Sequence, residues 1–253
     1  MPDDDYILRT EGLTKEFLGF VAVNGVSLRV RRGTIHALIG PNGAGKTTCF
    51  HLLTKFHAPT RGKIFFQGRD ITGERPAEIS RRGLVRSFQI SAVFANLTAL
   101  ENVRVALQRL KRRHSFDFWR SSRALESLEP RARELLEMVG LRDVAGELAG
   151  ELSYGRKRAL ELATTVALEP ELMLLDEPTA GMGHEDVDRI AQLIQRLAKE
   201  RTVLMVEHNL GVVANLSHHI TVLARGEVLA EGDYATVSQN PEVMRAYLGT
   251  GDA

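Results

Sequence analysis

The sequence predicts an α/β fold, in which a core of parallel strands carries an antiparallel β layer near the N-terminus and is interrupted by an α-helical insertion. Three patterns lead to this prediction. Apolar and polar residues alternate in roughly the first sixty residues, as in half-buried strands. Apolar residues recur at helical spacing from about 96 to 170, and two short apolar runs at 172–175 and 203–206 flank a helical segment, as in a β-α-β unit with buried parallel strands.

The N-terminal alternation is clearest where Val26, Leu28 and Val30 would face one side of a strand and the polar residues between them the other. A glycine-containing turn follows, and a further strand is expected over residues 63–67, between two glycines. The first part of the chain is therefore predicted to form a β-sheet.

The helical insertion and the C-terminal region are delimited by proline and glycine. Pro130 is expected to begin a helix and Gly140 to end it, and a hairpin is predicted over residues 220–231 before a C-terminal helix. We expect one domain over residues 1–253, with a core from residues 1–90 and 166–253 and a helical subdomain of about 91–165.

Composition excludes several classes of protein. With 33 Lys and Arg against 32 Asp and Glu, no basic excess points to nucleic acid. The single cysteine, Cys49, excludes an intramolecular disulfide. The longest uncharged stretch, 208–224, contains histidines and asparagines and cannot span a bilayer, which requires about 20 mainly apolar residues. The acidic N-terminus does not resemble a signal peptide, so a cytoplasmic location is expected.

Residues 40–48 form a complete G-x-x-x-x-G-K-S/T phosphate loop, directly after an apolar run and before a helical pattern that extends to His57. Its glycines let backbone N–H groups surround a polyphosphate at a helix N-terminus. The pattern predicts nucleoside triphosphate binding on a P-loop NTPase (RecA-like) core. The expected binding residues are Gly40, Pro41, Asn42, Gly43, Ala44, Gly45, Lys46, Thr47 and Thr48, with Lys46 on the β- and γ-phosphates and Thr47 on Mg²⁺.

A second motif, Asp176-Glu177, follows the apolar run at 172–175. An acid at the end of a buried strand beside the phosphate-loop strand suits the second contact to Mg²⁺, which we assign to Asp176. Glu177 could polarise an attacking water, a contribution of about 10²–10⁴ in rate. The plainer alternative is that the two acids cap a helix start.

Residues 152–156, Leu-Ser-Tyr-Gly-Arg, resemble the LSGGQ signature of ATP-binding cassette (ABC) ATPases, and the resemblance covers essentially residues 6–249. It implies roles for three further residues. Gln89 resembles the Q-loop glutamine that contacts Mg²⁺ and the water, and His208 the switch histidine at the γ-phosphate. Phe17 resembles the aromatic residue that stacks on adenine, although an aromatic here could also belong to the core.

The resemblance also implies partners. Two such subunits pair head to tail, so Ser153, Tyr154, Gly155 and Arg156 of one chain would complete the ATP site of the other. The pair would bind transmembrane permease subunits at the cytoplasmic face of the membrane and serve, indirectly, a solute-binding protein outside. The cofactors implied are ATP and Mg²⁺.

The sequence departs from the family pattern at three positions. Tyr154 stands where the signature has its first glycine and Arg156 where it has glutamine, and Gly183 stands where an aspartate is usual in the D-loop. The sequence therefore leaves open how the two ATP sites of the paired subunits communicate.

Within the family, the motifs and the tail at 240–249 resemble the ATPases of branched-chain, or hydrophobic, amino-acid importers. Urea and amide importers, lipopolysaccharide-export ATPases and soluble ABC ATPases of cytosolic assembly complexes remain alternatives. The resemblance further implies that a permease docks on the segment after Gln89, where Phe94 is the expected contact unless it fills the core of the helical insertion. The basic stretch Arg109–Arg123, with Trp119 inside it, is read as a solvated helical hairpin rather than a nucleic-acid or lipid surface.

Overall fold

The computed structural model describes residues 5–87, 93–108 and 127–248. Within them the chain forms two compact units. The first comprises the chain up to Arg86, Glu171–Ala180, and the chain from Ile194 onward, and the second comprises Ser87–Pro170 and Gly181–Leu193.

The strands and helices of the described residues are numbered here in chain order. The strands are β1 (Tyr6–Phe17), β2 (Phe20–Val26), β3 (Arg29–Arg31), β4 (Ile35–Ile39), β5 (Arg61–Phe66), β6 (Arg69–Asp70), β7 (Leu84–Arg86), β8 (Leu172–Asp176), β9 (Thr202–Val206), β10 (His219–Ala224) and β11 (Glu227–Gly232). The helices are α1 (Lys46–Leu53), α2 (Pro76–Arg81), α3 (Ala99–Gln108), α4 (Glu129–Met138), α5 (Tyr154–Val166), α6 (His184–Leu197), α7 (Leu210–Leu216), α8 (Tyr234–Ser238) and α9 (Pro241–Leu248). Two short 3₁₀ turns, Arg142–Val144 and Ala149–Glu151, lie between α4 and α5.

The first unit contains two sheets. One is antiparallel, with the order β2-β1-β5-β6 and β3 paired to β1. As predicted, Val26, Leu28 and Val30 are buried while Arg29 and Arg31 are exposed. The alternation arises because successive side chains of a strand point to opposite faces.

The second sheet has the order β11-β10-β4-β9-β8-β7, and all neighbours pair in parallel except β10 and β11. Every residue of β8 and β9 is buried, which explains why both strands read as continuous apolar runs. The predicted β-α-β unit is confirmed, with α6 as its helix. The carboxyl ends of β4, β8 and β9 meet at one edge of this sheet, and the motifs follow these three strands.

The predicted hairpin is confirmed as β10 and β11, which turn at Arg225 and Gly226, both with positive φ. The start of α4 near Pro130 and its end before Gly140 are also confirmed. Helix α1 is shorter than expected, because it ends at Leu53 and Lys55 adopts a φ of 60°.

The division into units differs from the predicted boundaries at several places, and Ser87 is one of them. Residues 181–193 and 166–170, expected in the core, group with the helical unit. For residues 181–193 the contact is visible at the start of α5, where a Cβ on Gly155 would lie 2.6 Å from the carboxylate of Asp186. Among the residues described, no helix is long and apolar enough to cross a membrane.

Candidate active site

The predicted phosphate loop connects β4 to α1 and depends on two glycines. Gly40 has a φ of 148°, and a Cβ there would lie 2.1 Å from the carbonyl oxygen of Leu223. Gly45 has a φ of 99° and caps α1, and its Cβ would lie 2.5 Å from the carbonyl oxygen of Ala22. No other residue type fits either position without moving backbone. No side chain caps the start of α1, which leaves its backbone N–H groups for an anion.

Lys46 is the first residue of α1 and is buried. Its Nζ donates hydrogen bonds to the carbonyl oxygens of Gly40, at 2.7 Å, and Pro41, at 2.9 Å. Burial lowers the pKa of Lys46, and the nearby carboxylates of Glu177 and Asp176 partly oppose that shift. The ammonium group is therefore held at the loop, close to the two acids of the second motif. Thr47, predicted as a Mg²⁺ ligand, is exposed on the same turn.

Asp176 ends β8 and is only 1% exposed. Its Oδ2 pairs with the Nη2 of Arg86, whereas its Oδ1 has no hydrogen-bond partner among the residues that the structure describes. A buried carboxylate oxygen without a partner costs free energy unless a ligand satisfies it. This orphaned oxygen fits a cation or a cation-bound water. In the described ranges, no group of three or more His, Cys, Asp or Glu side chains is placed to hold a metal ion.

Glu177 and His208 are brought together at the ends of the adjacent strands β8 and β9. The Nε2 atom of His208 lies 2.7 Å from Oε1 of Glu177. A carboxylate can only accept, so this hydrogen bond requires the proton on Nε2. Glu177 adopts a φ of 47°, and its N–H donates to the carbonyl oxygen of Val206 at 2.9 Å. A left-handed backbone conformation is uncommon in non-glycine residues, and the residues that adopt it cluster at functional sites.

Two residues of this site were not predicted from the sequence. Arg86, the partner of Asp176, ends β7, and Glu207 is a buried acid that links the segments carrying Glu177 and His208. In the sequence, each of them is recognisable only as a single charged residue at the end of an apolar strand. Neither partner could be identified, because the hydrogen bonds join segments far apart in sequence.

Phe17, predicted to stack on adenine, ends β1 and is 38% exposed. Its ring packs edge-on against His57, with centroids 5.3 Å apart, and Nζ of Lys15 lies 4.9 Å from its centroid. The ring is therefore not part of the core. A half-exposed aromatic face next to a cation suits a planar ligand.

The predicted signature residues lie in the second unit, at the start of α5. Ser153 caps this helix by accepting a hydrogen bond from the N–H of Arg156 at 3.4 Å. The Tyr154 hydroxyl accepts a hydrogen bond from Arg158, and Arg156 pairs with Asp143 at the surface. A Cβ on Gly155 would lie 2.6 Å from the side-chain carboxylate of Asp186, which would have to move. This helix start places an exposed serine at a helix N-terminus, whose positive dipole end suits a phosphate.

Four further expectations have different outcomes. Gln89 lies outside the described residues, as does the whole of Arg109–Arg123. Gly183 occupies the N-cap position of α6, where its carbonyl oxygen accepts from the N–H of Val187 and a Cβ would find open space. Phe94 is 57% exposed, and both its backbone N–H and its carbonyl oxygen are hydrogen-bonded to the buried side chain of Asn102. The alternative that Phe94 fills the core of the helical unit is wrong.

Comparison with known proteins shows what this arrangement resembles. Residues 23–180 match the family model described as ABC transporter, and residues 227–253 match the model described as branched-chain amino acid ATP-binding cassette transporter. The high-affinity branched-chain amino acid transport ATP-binding protein BraF of Pseudomonas aeruginosa is 41% identical, over 96% of this chain and 98% of its own length. The corresponding protein LivG of Escherichia coli K12 is 37% identical over the same shares.

Solved structures agree with the sequence comparison. The ADP conformation of an ATP-binding cassette of an ABC transporter has a TM-score of 0.85 and 31% identity, and the match covers 96% of this chain and 99% of that one. A dimeric post-hydrolysis ATP-binding cassette bound to ADP and Pi has a TM-score of 0.75 and 26% identity, over 89% and 98% of the two chains. The predicted fold class is confirmed, and the chain belongs to the ATP-hydrolysing, ATP-binding subunits of ABC transporters, in the group that contains BraF and LivG.

Proposed function

We propose that this ATPase drives the import of branched-chain or other hydrophobic amino acids. The observation that carries the proposal is the C-terminal match: residues 227–253 fit the model specific to branched-chain amino acid cassettes, in a chain that also aligns with BraF and LivG over nearly its whole length. Urea, amide and lipopolysaccharide transporters are related alternatives, and a soluble cytosolic assembly complex is a third.

In the proposed reaction, the backbone N–H groups of the phosphate loop and the ammonium of Lys46 hold the β- and γ-phosphates of ATP. Thr47, Asp176 and Gln89 would hold Mg²⁺, which when bound neutralises phosphate charge. The unpaired Oδ1 of Asp176 supports its part in this set. The ring of Phe17 would stack on the adenine, which its exposure and its neighbouring Lys15 favour.

Glu177 acts on the attacking water. Its carboxylate accepts a proton as the water oxygen bonds to the γ-phosphorus, and the bond from that phosphorus to the β,γ-bridging oxygen breaks to leave ADP and phosphate. His208 holds the carboxylate at 2.7 Å before nucleotide binds and would contact the γ-phosphate afterwards. Positioning and electrostatics supply most of the catalysis in phosphoryl transfer.

A complete site would need a second subunit. Ser153 and Gly155 of each chain would approach the γ-phosphate held by the other, so that two chains form two sites. The capped start of α5 and the dimeric cassette among the similar structures support this arrangement. The partner could be a second copy of this chain or a related ATPase.

The proposed partners outside the ATPase pair are permease subunits at the cytoplasmic face of the membrane, with a solute-binding protein on the other side. The exposed ring of Phe94 would contact a cytoplasmic helix of the permease. Burying such a ring contributes about 1.5–3 kcal/mol. The clamp from Asn102 to the Phe94 backbone would hold the ring in position for that contact.

Reconstitution tests the proposal. The chain is co-expressed with the permease and ATPase genes beside it, purified from membranes and placed in vesicles with the solute-binding protein. ATP-dependent uptake of leucine, isoleucine or valine, lost in Lys46→Ala, is the expected result. Uptake of urea alone, or purification without any membrane protein, would favour the alternatives.

A further inference from the structure

Glu207 is a buried carboxylate that the reaction described above does not use. It follows β9 directly and is 2% exposed. Among the residues that the structure describes, no cationic side chain forms an ion pair with it. A buried carboxylate is costly unless hydrogen bonds or charges compensate it.

Four donors compensate Glu207, and they come from two segments. Oε1 accepts from the N–H and the hydroxyl of Thr179, two residues after Glu177. Oε2 accepts from the N–H of His208 at 2.7 Å and from the N–H of Asn209 at 3.3 Å. Each oxygen therefore serves one segment, and the carboxylate bridges them.

We propose that Glu207 is a positioning residue, whose carboxylate fixes the distance between Glu177 and His208; this inference rests on the roles proposed for that pair. The strands β8 and β9 are in register, with Asp176 opposite Val206, but their hydrogen-bond ladder ends there. Beyond it, the N–H of Glu177 makes one further bond to Val206, and Glu207 makes the next connection. The imidazole and the carboxylate of the pair extend from these two backbones.

The geometry explains why an ionised acid suits this position. All four partners are donors, and both carboxylate oxygens can accept two hydrogen bonds each. A glutamine has the same shape, but its NH₂ group would face either Thr179, whose hydroxyl could turn to accept but whose N–H could not, or the two backbone N–H groups of His208 and Asn209. One segment would then lose its anchor and meet an unfavourable donor-to-donor contact.

The first experiment compares Glu207→Gln with the control Glu171→Gln in the purified full chain. Glu171 precedes the start of β8, at the end opposite to Glu177, and its exposed carboxylate pairs with Arg32 at 3.2 Å. We expect the kcat for MgATP hydrolysis to fall about 10-fold or more in Glu207→Gln while the KM changes less than about 2-fold, because positioning acts on the transition state. The control should stay within about 2-fold for both constants. An unchanged kcat in Glu207→Gln overturns the proposal.

A double-mutant cycle separates positioning from a general structural role. In the background of His208→Ala, the substitution Glu207→Gln should change the single-turnover rate with radiolabelled ATP less than about 2-fold, since the residue through which it acts is gone. Its effect on the melting temperature should be equal in both backgrounds. An equal fall in rate in both backgrounds would show that Glu207 does not act through His208.

Thr179→Val and Glu177→Gln distinguish a folding defect from a failure of the proposal. If Glu207→Gln does not fold, Thr179→Val replaces it in the cycle, since it removes one donor and keeps the carboxylate; a wild-type rate for Thr179→Val then overturns the proposal. If His208→Ala and Glu177→Gln themselves retain wild-type turnover, the proposed roles of the pair fail. Wild-type turnover in Glu207→Gln with an inactive Glu177→Gln rejects this inference alone.

Discussion

Arg86→Met tests the ion pair at the end of β7 and β8. Asp176 is almost fully buried, and the Arg86 side chain retains only 13% exposure, so the pair lies in a region of low effective dielectric. Methionine keeps much of the volume of arginine and removes the charge. The carboxylate of Asp176 would be left without its cation, and Oδ1 already lacks a partner among the described residues.

The expected cost follows from that burial. Removing one member of a buried ion pair typically destabilises a protein by about 3–5 kcal/mol, whereas an exposed pair contributes about 0–1 kcal/mol. The double variant Arg86→Met with Asp176→Asn should regain most of the loss, because it removes both charges of the pair together. The loss should depend little on salt, since buried pairs are screened weakly.

Urea denaturation measures the free energy of unfolding of the wild type, both single variants and the double variant, with and without MgATP. The deficit of Arg86→Met should shrink in saturating MgATP, because a bound cation would replace the missing positive charge beside Asp176. ATP with a chelator serves as the control. A destabilisation below about 1 kcal/mol without nucleotide, or one abolished by 0.5 M salt, would refute this reasoning.

Three other variants test separate parts of the structure. Burial, with a smaller effect of His219, lowers the pKa of His36 to about 3. Below pH 6.5 the unfolded chain therefore binds a proton that the folded chain does not, and the free energy of unfolding decreases as the pH is lowered. His36→Gln, which can still donate to Thr221, should lack this contribution of about 2 kcal/mol between pH 8 and pH 5, and identical pH dependence in variant and wild type would count against it. Gly183→Asp should be tolerated, because a Cβ meets nothing within 4 Å and Asp is a good N-cap. If the missing D-loop acid weakens coupling between the two ATP sites, this variant should raise the Hill coefficient for ATP. A Hill coefficient near 2 in both the wild type and the variant would show that the coupling is not weakened. Phe94→Ala should keep the fold and the basal ATPase but reduce permease binding or uptake, and undiminished uptake would exclude Phe94 as the docking contact.

Local patterns predicted the positions that depend on local chemistry. The phosphate loop could be recognised because its glycines are fixed by backbone conformation and close approach, as at Gly40. The buried strands β8 and β9 could be recognised because parallel strands are apolar along their whole length. Asp176, Glu177 and His208 could be predicted as site residues because they lie at or just after the ends of these two strands and match motifs of the family.

The features that were missed depend on contacts between distant segments. Arg86 and Glu207 are single charged residues whose partners lie on other strands, and no spacing rule relates them. The grouping of residues 181–193 with the helical unit depends on the close approach of Gly155 and Asp186, which is a tertiary contact. The end of α1 at Leu53 was missed because the apolar pattern continues to His57 although the backbone leaves the helix at Lys55.

The most direct test of the central claim, that Glu177 performs hydrolysis on a nucleotide held by the phosphate loop, is a paired measurement of MgATP binding and phosphate release. Glu177→Gln should bind MgATP within about 3-fold of the wild-type Kd while its turnover falls by about 10²–10⁴. Lys46→Ala, measured beside it, should instead lose affinity, since its ammonium lies at the loop itself. Near-wild-type phosphate release by Glu177→Gln, above a control without enzyme, would contradict the account.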